Sequence, residues 1–205
     1  MRENMGLYRG KRTGDGEWVE GYLTYRYRYD QQSGKEILGP VIDCPQEVTL
    51  GNTTGKVICS YQVVPGTEGQ FTGFYDSTKW EDLTPEEQEA FLHQPDGWEN
   101  TPDVWPGKRI FEDDILQFED VGETGYEYKE GFDYINRAAV VWENGRWELE
   151  RFLDTNSGVN EDMIGRSYHE DFIQVFGSSK IIGNVHDDPG LLLPWDGDDD
   201  DDSPF

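Results

Sequence analysis

Cations are scarce in this 205-residue chain: 17 lysines and arginines face 43 aspartates and glutamates, a formal charge of -26. Binding to nucleic acid or to an anionic membrane without sequence preference requires cations that displace counterions, so this composition weighs against both. Cysteine is scarcer still. Cys44 and Cys59 are the two present, with no CxxC spacing and no ligand pattern around them, which excludes a cysteine zinc site and a disulfide-stapled scaffold. A disulfide between them requires neighbouring strands, and reduced, half-buried thiols suit a reducing compartment better. No apolar run approaches the length of a signal peptide or a spanning helix, so the expectation is a cytoplasmic protein without a membrane partner. Aliphatic residues are few as well. The hydrophobic total is 35% but aromatics reach 14%, so Trp, Tyr and Phe must supply much of the core. A chain of this length buries roughly 70% of its unfolded surface, and one domain with appendages is the first expectation.

What is present is alternation. In "LYRGKRTGDGEWVEGYLTYRYRYD", turn chemistry at "TGDGE" precedes a period of two. Trp18, Glu20, Tyr22, Thr24, Arg26 and Arg28 fall on one face, and Val19, Gly21, Leu23, Tyr25, Tyr27 and Tyr29 on the other, as in a strand. Seven of the 17 basic residues lie in the first 35 positions, which makes this end locally basic. "KEILGPVID" and "GKVICSYQVVP" read as further strands around a turn at "LGNTTG". Thr84 before Pro85, with Glu86, Glu87 and Gln88 following, is a helix start with a cap, a proline where no N–H is required, and carboxylates at the positive end. The helix should run from about Pro85 to His93 and stop near Pro95, with Trp98 and Trp105 in a loop lying on the body. Strands resume at "KRIFEDDILQFEDV", which switches phase midway. Asn144-Gly145 in "RAAVVWENGRWELERF" specifies a two-residue hairpin. "EDFIQVFGSSKIIGNVHDDPGLLL" suggests two more short strands around Gly177-Ser178. The end, "DGDDDDDSPF", reads as a solvated, disordered acidic tail.

The stretch most like a motif is "PGTEGQFTGFYD", Pro65 to Asp76. Its Gly66, Gly69 and Gly73 lack the Lys-Ser/Thr that completes a phosphate loop and the spacing of a dinucleotide turn, so a fold-determining corner is the expectation. "DTNSGVNEDMIG" offers donors at Asp154, Asn156, Asn160 and Asp162, yet Val159 occupies the glycine position and Gly165 the bidentate Glu position of a calcium loop, so it fails. The run Asp198 to Asp202 has no fixed geometry for a metal. Nucleophilic chemistry requires Cys59 or a serine beside a histidine, and nothing in the sequence brings His93, His169 or His186 together. The pair Asp113-Asp114 is what 43 acids produce by density. The expectation is a non-enzyme with no catalytic residues, no metal and no cofactor.

Five segments in order, "LYRGKRTGDGEWVEGYL", "VVPGTEGQFTGFYD", "GKRIFEDDILQF", "VVWENGRWEL" and "IIGNVHDDPGLL", resemble the YopX-type proteins of bacteriophages and prophages. The resemblance implies a mainly β fold, a small SH3-like β-barrel with additional strands and a short helical insertion. It also implies a phage gene with no established biochemical activity, so there are no catalytic residues to carry over. On this reading residues 1–192 form a single YopX-like domain, 77–106 are the insertion and 193–205 the acidic tail. Asp113 stands where the family usually has the glycine of an E-G-D-I-V stretch, which puts the turn there in question.

Three functions follow. The leading one is a non-enzymatic protein-binding module whose partner is a host protein. The second is an acidic DNA mimic, with carboxylates from Asp76 to Glu99 and in the C-terminal half entering a basic groove. The third is a nucleic-acid binder using Arg9, Lys11, Arg12, Arg26 and Arg28 with Tyr8, Tyr25 and Tyr27 for stacking, which the surrounding negative potential opposes. The oligomeric state and the pairing of Cys44 with Cys59 stay open.

Overall fold

The computed structural model describes residues 6–30, 33–50, 53–93, 100–120, 134–154, 172–173 and 175–193. The fold is mainly β, with antiparallel sheets and one α-helix among the described residues. The sequence reading treats 1–192 as one domain; the chain divides into two compact units, Met1–Glu112 and Asp113–Phe205.

The first unit carries β1 (Leu7–Lys11), β2 (Trp18–Asp30), β3 (Lys35–Leu50), β4 (Thr53–Gln62), β5 (Gly69–Tyr75) and β6 (Arg109–Phe111) in a sheet of order β4-β3-β2-β1-β5-β6. β3 was expected to end near Asp43, and instead continues through Pro45 to Leu50. The reason is hydrogen-bond phase. Val63 N–H donates to Pro40 O at 3.2 Å, so the alternation turns the Pro45 nitrogen away from β4, and the pairing with β2 has already stopped at Tyr22 opposite Asp43. The proline therefore interrupts no ladder bond. Val19, Ile42 and Val63 form a core cluster against which Tyr8, Leu23, Cys44 and Tyr61 pack. The guanidinium of Arg9 lies 4.8 Å from the ring centroids of both Trp18 and Phe111. A single bridge from Arg12 to Val63 ties the end of β1 to the residue after β4. No closed barrel forms among the described residues, because β4 and β6 stand as sheet edges.

The insertion between β5 and β6 holds α1 (Pro85–Leu92), with His93 as its C-cap, so it ends within one residue of where the sequence suggested and is capped as expected. The rings of Trp80, Phe91 and Trp105 meet edge to face, Phe91 and Trp105 at 4.8 Å. Trp105 also donates its indole N–H to Thr78 O at 2.8 Å. This small aromatic core is what orders the segment, with Trp105 half-buried as a loop tryptophan lying on the body should be.

The second unit is a sheet of order β10-β7-β8-β9, built from β7 (Asp114–Asp120), β8 (Tyr134–Glu143), β9 (Arg146–Asp154) and β10 (Lys180–Asn184). Ile115, Leu116, Ala138, Val140, Leu149 and Phe172 are buried in it. The phase switch in "KRIFEDDILQFEDV" is a turn at Glu112-Asp113, so the segment is two strands, one in each sheet. The hairpin at Asn144-Gly145 forms as expected, with both residues at positive φ, 51° and 84°. One of the two strands expected around Gly177-Ser178 is β10. The stretch before it is a helical turn, in which Phe176 N–H donates to Phe172 O at 3.0 Å; its apolar residues follow a helical period that a short apolar run does not separate from a strand's.

Candidate interaction surface

β2 and β3 are longer than the core they cover. Along one face of β2, Val19 and Gly21 are buried and Leu23 is half-buried, and then the same alternation carries Tyr25, Tyr27 and Tyr29 into solvent, 54%, 75% and 68% exposed. The register sets Tyr25 opposite Pro40, Tyr27 opposite Leu38 and Tyr29 opposite Glu36, and residues directly opposed share a face. Leu38 is exposed too. Tyr25 donates its hydroxyl to Glu68 Oε1 at 3.2 Å; partial burial, then the Glu68 charge, push that hydroxyl's pKa up. The result is an aromatic face on a paired ribbon, with carboxylates of Glu36 and Glu68 along it. β4 continues the apolar exposure on its own edge through Val57 and Ile58.

The other face of the ribbon is basic. Arg26 donates to Asp43 Oδ2 at 2.5 Å and to Ser60 Oγ at 3.0 Å. Arg28 lies across Gly39, where a Cβ would stand 3.4 Å from its Nε, and donates to Gln62 Oε1 at 2.6 Å. A shallow pocket of about 190 Å³ lies among these side chains.

The cations and aromatics named for nucleic-acid binding are thus separated. Arg26 and Arg28 sit on the face opposite Tyr25 and Tyr27. Arg9 is held over two rings; Arg12 is ion-paired to Asp15 and lies over Tyr61. Tyr8 donates to Gln70 Oε1 at 3.4 Å, and the backbone N–H of Lys11 goes to Thr67 Oγ1.

Of the stretch from Pro65 to Asp76, the first four residues form a turn and Gly69–Tyr75 is strand β5 itself. Gly66 N–H goes to Glu68 Oε2 at 2.7 Å and Thr67 N–H to Val64 O, so these two donors are spent internally. Gly69 is required by close approach, since a Cβ there would lie 2.6 Å from Glu112 O. Asp76, the first carboxylate of the proposed DNA-mimic run, is buried and accepts from Lys108 N–H at 2.8 Å and from the N–H and hydroxyl of Thr78. Glu87 is committed to α1 and to Lys108.

In the second unit, Asp113 adopts φ 68°, the left-handed region that the glycine implied at this position would favour, and its carboxylate meets His186. Asp114 is fully buried. His93 ends α1 as its C-cap. His169, Trp98, Glu99, the failed calcium loop from Asn156 onward and the acidic tail lie outside the described residues. Among those described, no group of three or more His, Cys, Asp or Glu side chains is placed to hold a metal, and no helix is long and apolar enough to cross a membrane.

Tyr29 and Leu38 were not singled out as surface residues by the sequence. Alternation placed Tyr29 on the face of Val19, but the point where that face leaves the core depends on where β4 and β1 end. Comparison with known proteins adds no relative: no protein-family profile, no curated protein and no solved structure matches this chain.

Proposed function

We propose that this chain is a non-enzymatic protein-binding module, of phage or prophage origin and acting in the cytoplasm of the bacterial host, as the YopX-type resemblance implies. The observation that carries the binding role is the exposed Tyr27, Tyr29 and Leu38 face of the β2–β3 ribbon. Tyrosines on paired strands lose little side-chain entropy on binding and supply large contact areas, which is why they concentrate in binding hot spots. With Glu36 and Glu68 along the face and a chain charge of -26, the fitting partner is a protein with an apolar patch inside a basic rim. The bridge that brings Arg12, after β1, to Val63, after β4, supports reading β1 to β4 as an opened variant of the SH3-like barrel.

A nucleic-acid partner is the weaker reading, since stacking and phosphate neutralisation must act on one strand together, and here Tyr27 and Arg28 face opposite sides. The mimic reading loses Asp76, whose carboxylate is spent inside the fold. The test is capture from host lysate by the full chain, compared with Tyr27→Ala/Tyr29→Ala and with Arg26→Ala/Arg28→Ala. A specific protein retained by wild type and by the arginine variant but lost by the tyrosine variant supports the proposal. Equal capture by all three, or binding of single-stranded DNA that falls with the arginine variant, overturns it.

A further inference from the structure

Cys44 and Cys59 are direct partners in the β3–β4 ladder, both are free thiols, and both are half-buried. The phase set by Val63 N–H to Pro40 O makes 40/63, 42/61 and 44/59 the hydrogen-bonded pairs, since closely and widely spaced pairs alternate along an antiparallel ladder. The Cα atoms of such a pair stand about 5.5 Å apart, inside the roughly 4.4–6.8 Å that a disulfide spans. Their Cβ atoms, about 4.5–5.5 Å apart in a directly opposed pair, must close to about 3.8 Å. The bond therefore forms without refolding but under strain, which makes it reducible.

Access is from the open side. β4 is an edge strand, and Cys59 lies half-buried on it between the exposed Ile58 and Ser60; the acidic neighbours are Asp43, which accepts from the Ser60 hydroxyl, and Glu20, whose charge acts on Cys44. Cys44 packs against the Val19, Ile42 and Val63 cluster, and burial pushes its thiol pKa up.

We propose that Cys44 and Cys59 form a dithiol site for thiol–disulfide exchange with a low-molecular-weight disulfide of the glutathione class. The Cys59 thiolate, on the edge strand, attacks one sulfur of the reagent, forming a mixed disulfide and expelling one thiolate. Cys44 then gives its proton to solvent and attacks Cys59 Sγ, which closes the intramolecular bond and expels the second thiolate. Two electrons pass from the protein to the reagent, which leaves as two thiols. The product staples β3 to β4 at the base of the arm that ends at Leu50 and Thr53. The site is independent of the tyrosine face and of any partner.

The test treats the full chain with oxidised glutathione, natively and in denaturing urea, and follows intact mass, free thiols and non-reducing gels. The expected result is a monomer lighter by two hydrogens, with both thiols lost together, faster in the native chain than in urea, and reversed by reduced glutathione. Cys44→Ser and Cys59→Ser, each checked for a native circular dichroism spectrum, should stop at the mixed disulfide or keep their thiol. Should wild type accumulate two glutathione adducts, join into disulfide-linked dimers, keep both thiols, or close no faster than in urea, the fold does not build this site.

Discussion

The imidazole of His186 meets the carboxylate of Asp113 at 2.8 Å, Nε2 to Oδ2, while the Asp113 backbone sits at φ 68°. The backbone is tied on both sides, Asp113 N–H to Val140 O at 2.8 Å and Asp113 O accepting from Val185 N–H at 3.0 Å. A left-handed conformation costs an L-residue about 1–2 kcal/mol, less for Asp, so the surrounding bonds hold it there and the histidine contact offsets part of the cost. Asp113→Ala keeps the strained backbone and loses the contact, whereas Asp113→Gly loses the contact and releases the strain. The glycine variant should be more stable than the alanine variant by about 1 kcal/mol, as read by urea unfolding. Equal midpoints would mean that the φ angle stores nothing.

The hairpin of the second unit makes a sharper test of local chemistry. Gly145 stands at φ 84° with nothing within 4 Å of an added Cβ, so Gly145→Ala changes conformational cost without creating a clash. It should destabilise by about 1 kcal/mol. Trp142 and Trp147, opposed in register with ring centroids 4.7 Å apart, keep the strands paired, so the hairpin's backbone signals should persist in the native state.

That hairpin was legible in the sequence because its instruction is local: Asn-Gly demands two positive φ angles, and a tight turn satisfies them. The start at Thr84-Pro85 was legible for the same reason. The passage of β3 through Pro45 was not, because a proline ends a strand or not according to which way its missing N–H would point, and that phase comes from Val63, the residue after β4. The interaction face was half legible. Alternation grouped Tyr25, Tyr27 and Tyr29 with Val19, but the length of the ladder relative to the core decides which are buried. The separation of Arg28 from Tyr27 was already in the alternation, though a list of basic and aromatic residues concealed it.

Gly69 tests the corner reading of Pro65 to Asp76. A Cβ at this position would lie 2.6 Å from Glu112 O, and Glu112 N–H is itself bonded to Gln70 O at 2.9 Å, so the neighbouring backbone has nowhere to retreat. Gly69→Ala should cost about 1–3 kcal/mol through overpacking, measured by thermal or urea unfolding. Gly66→Ala carries no such clash and should cost less, through its φ of 87° alone. The reverse order would point to a loop selected for its conformation and not for strand approach.

The helix cap supplies the pH-dependent prediction. Thr84 Oγ1 accepts from Glu87 N–H at 3.2 Å, Glu87 Oε2 accepts from Thr84 N–H at 2.8 Å, and Glu87 Oε1 meets Lys108 Nζ at 2.7 Å. The Lys108 hydrogen bond, opposed by some burial and aided by the Thr84 N–H, holds the Glu87 carboxyl below the usual glutamate range. A carboxyl whose folded pKa is lowered stabilises the fold fully above its unfolded pKa and loses that contribution as pH falls through the folded value. Helix α1 should therefore loosen below about pH 4, seen as faster amide exchange at Glu89 to Leu92. Glu87→Gln should remove the pH dependence, and Thr84→Ala should cost about 1 kcal/mol near neutral pH. The ion pair adds less than that, because Glu87 and Lys108 are 41% and 37% exposed and solvent screens them. A helix that loosens with acid equally in wild type and Glu87→Gln would place the titrating group elsewhere.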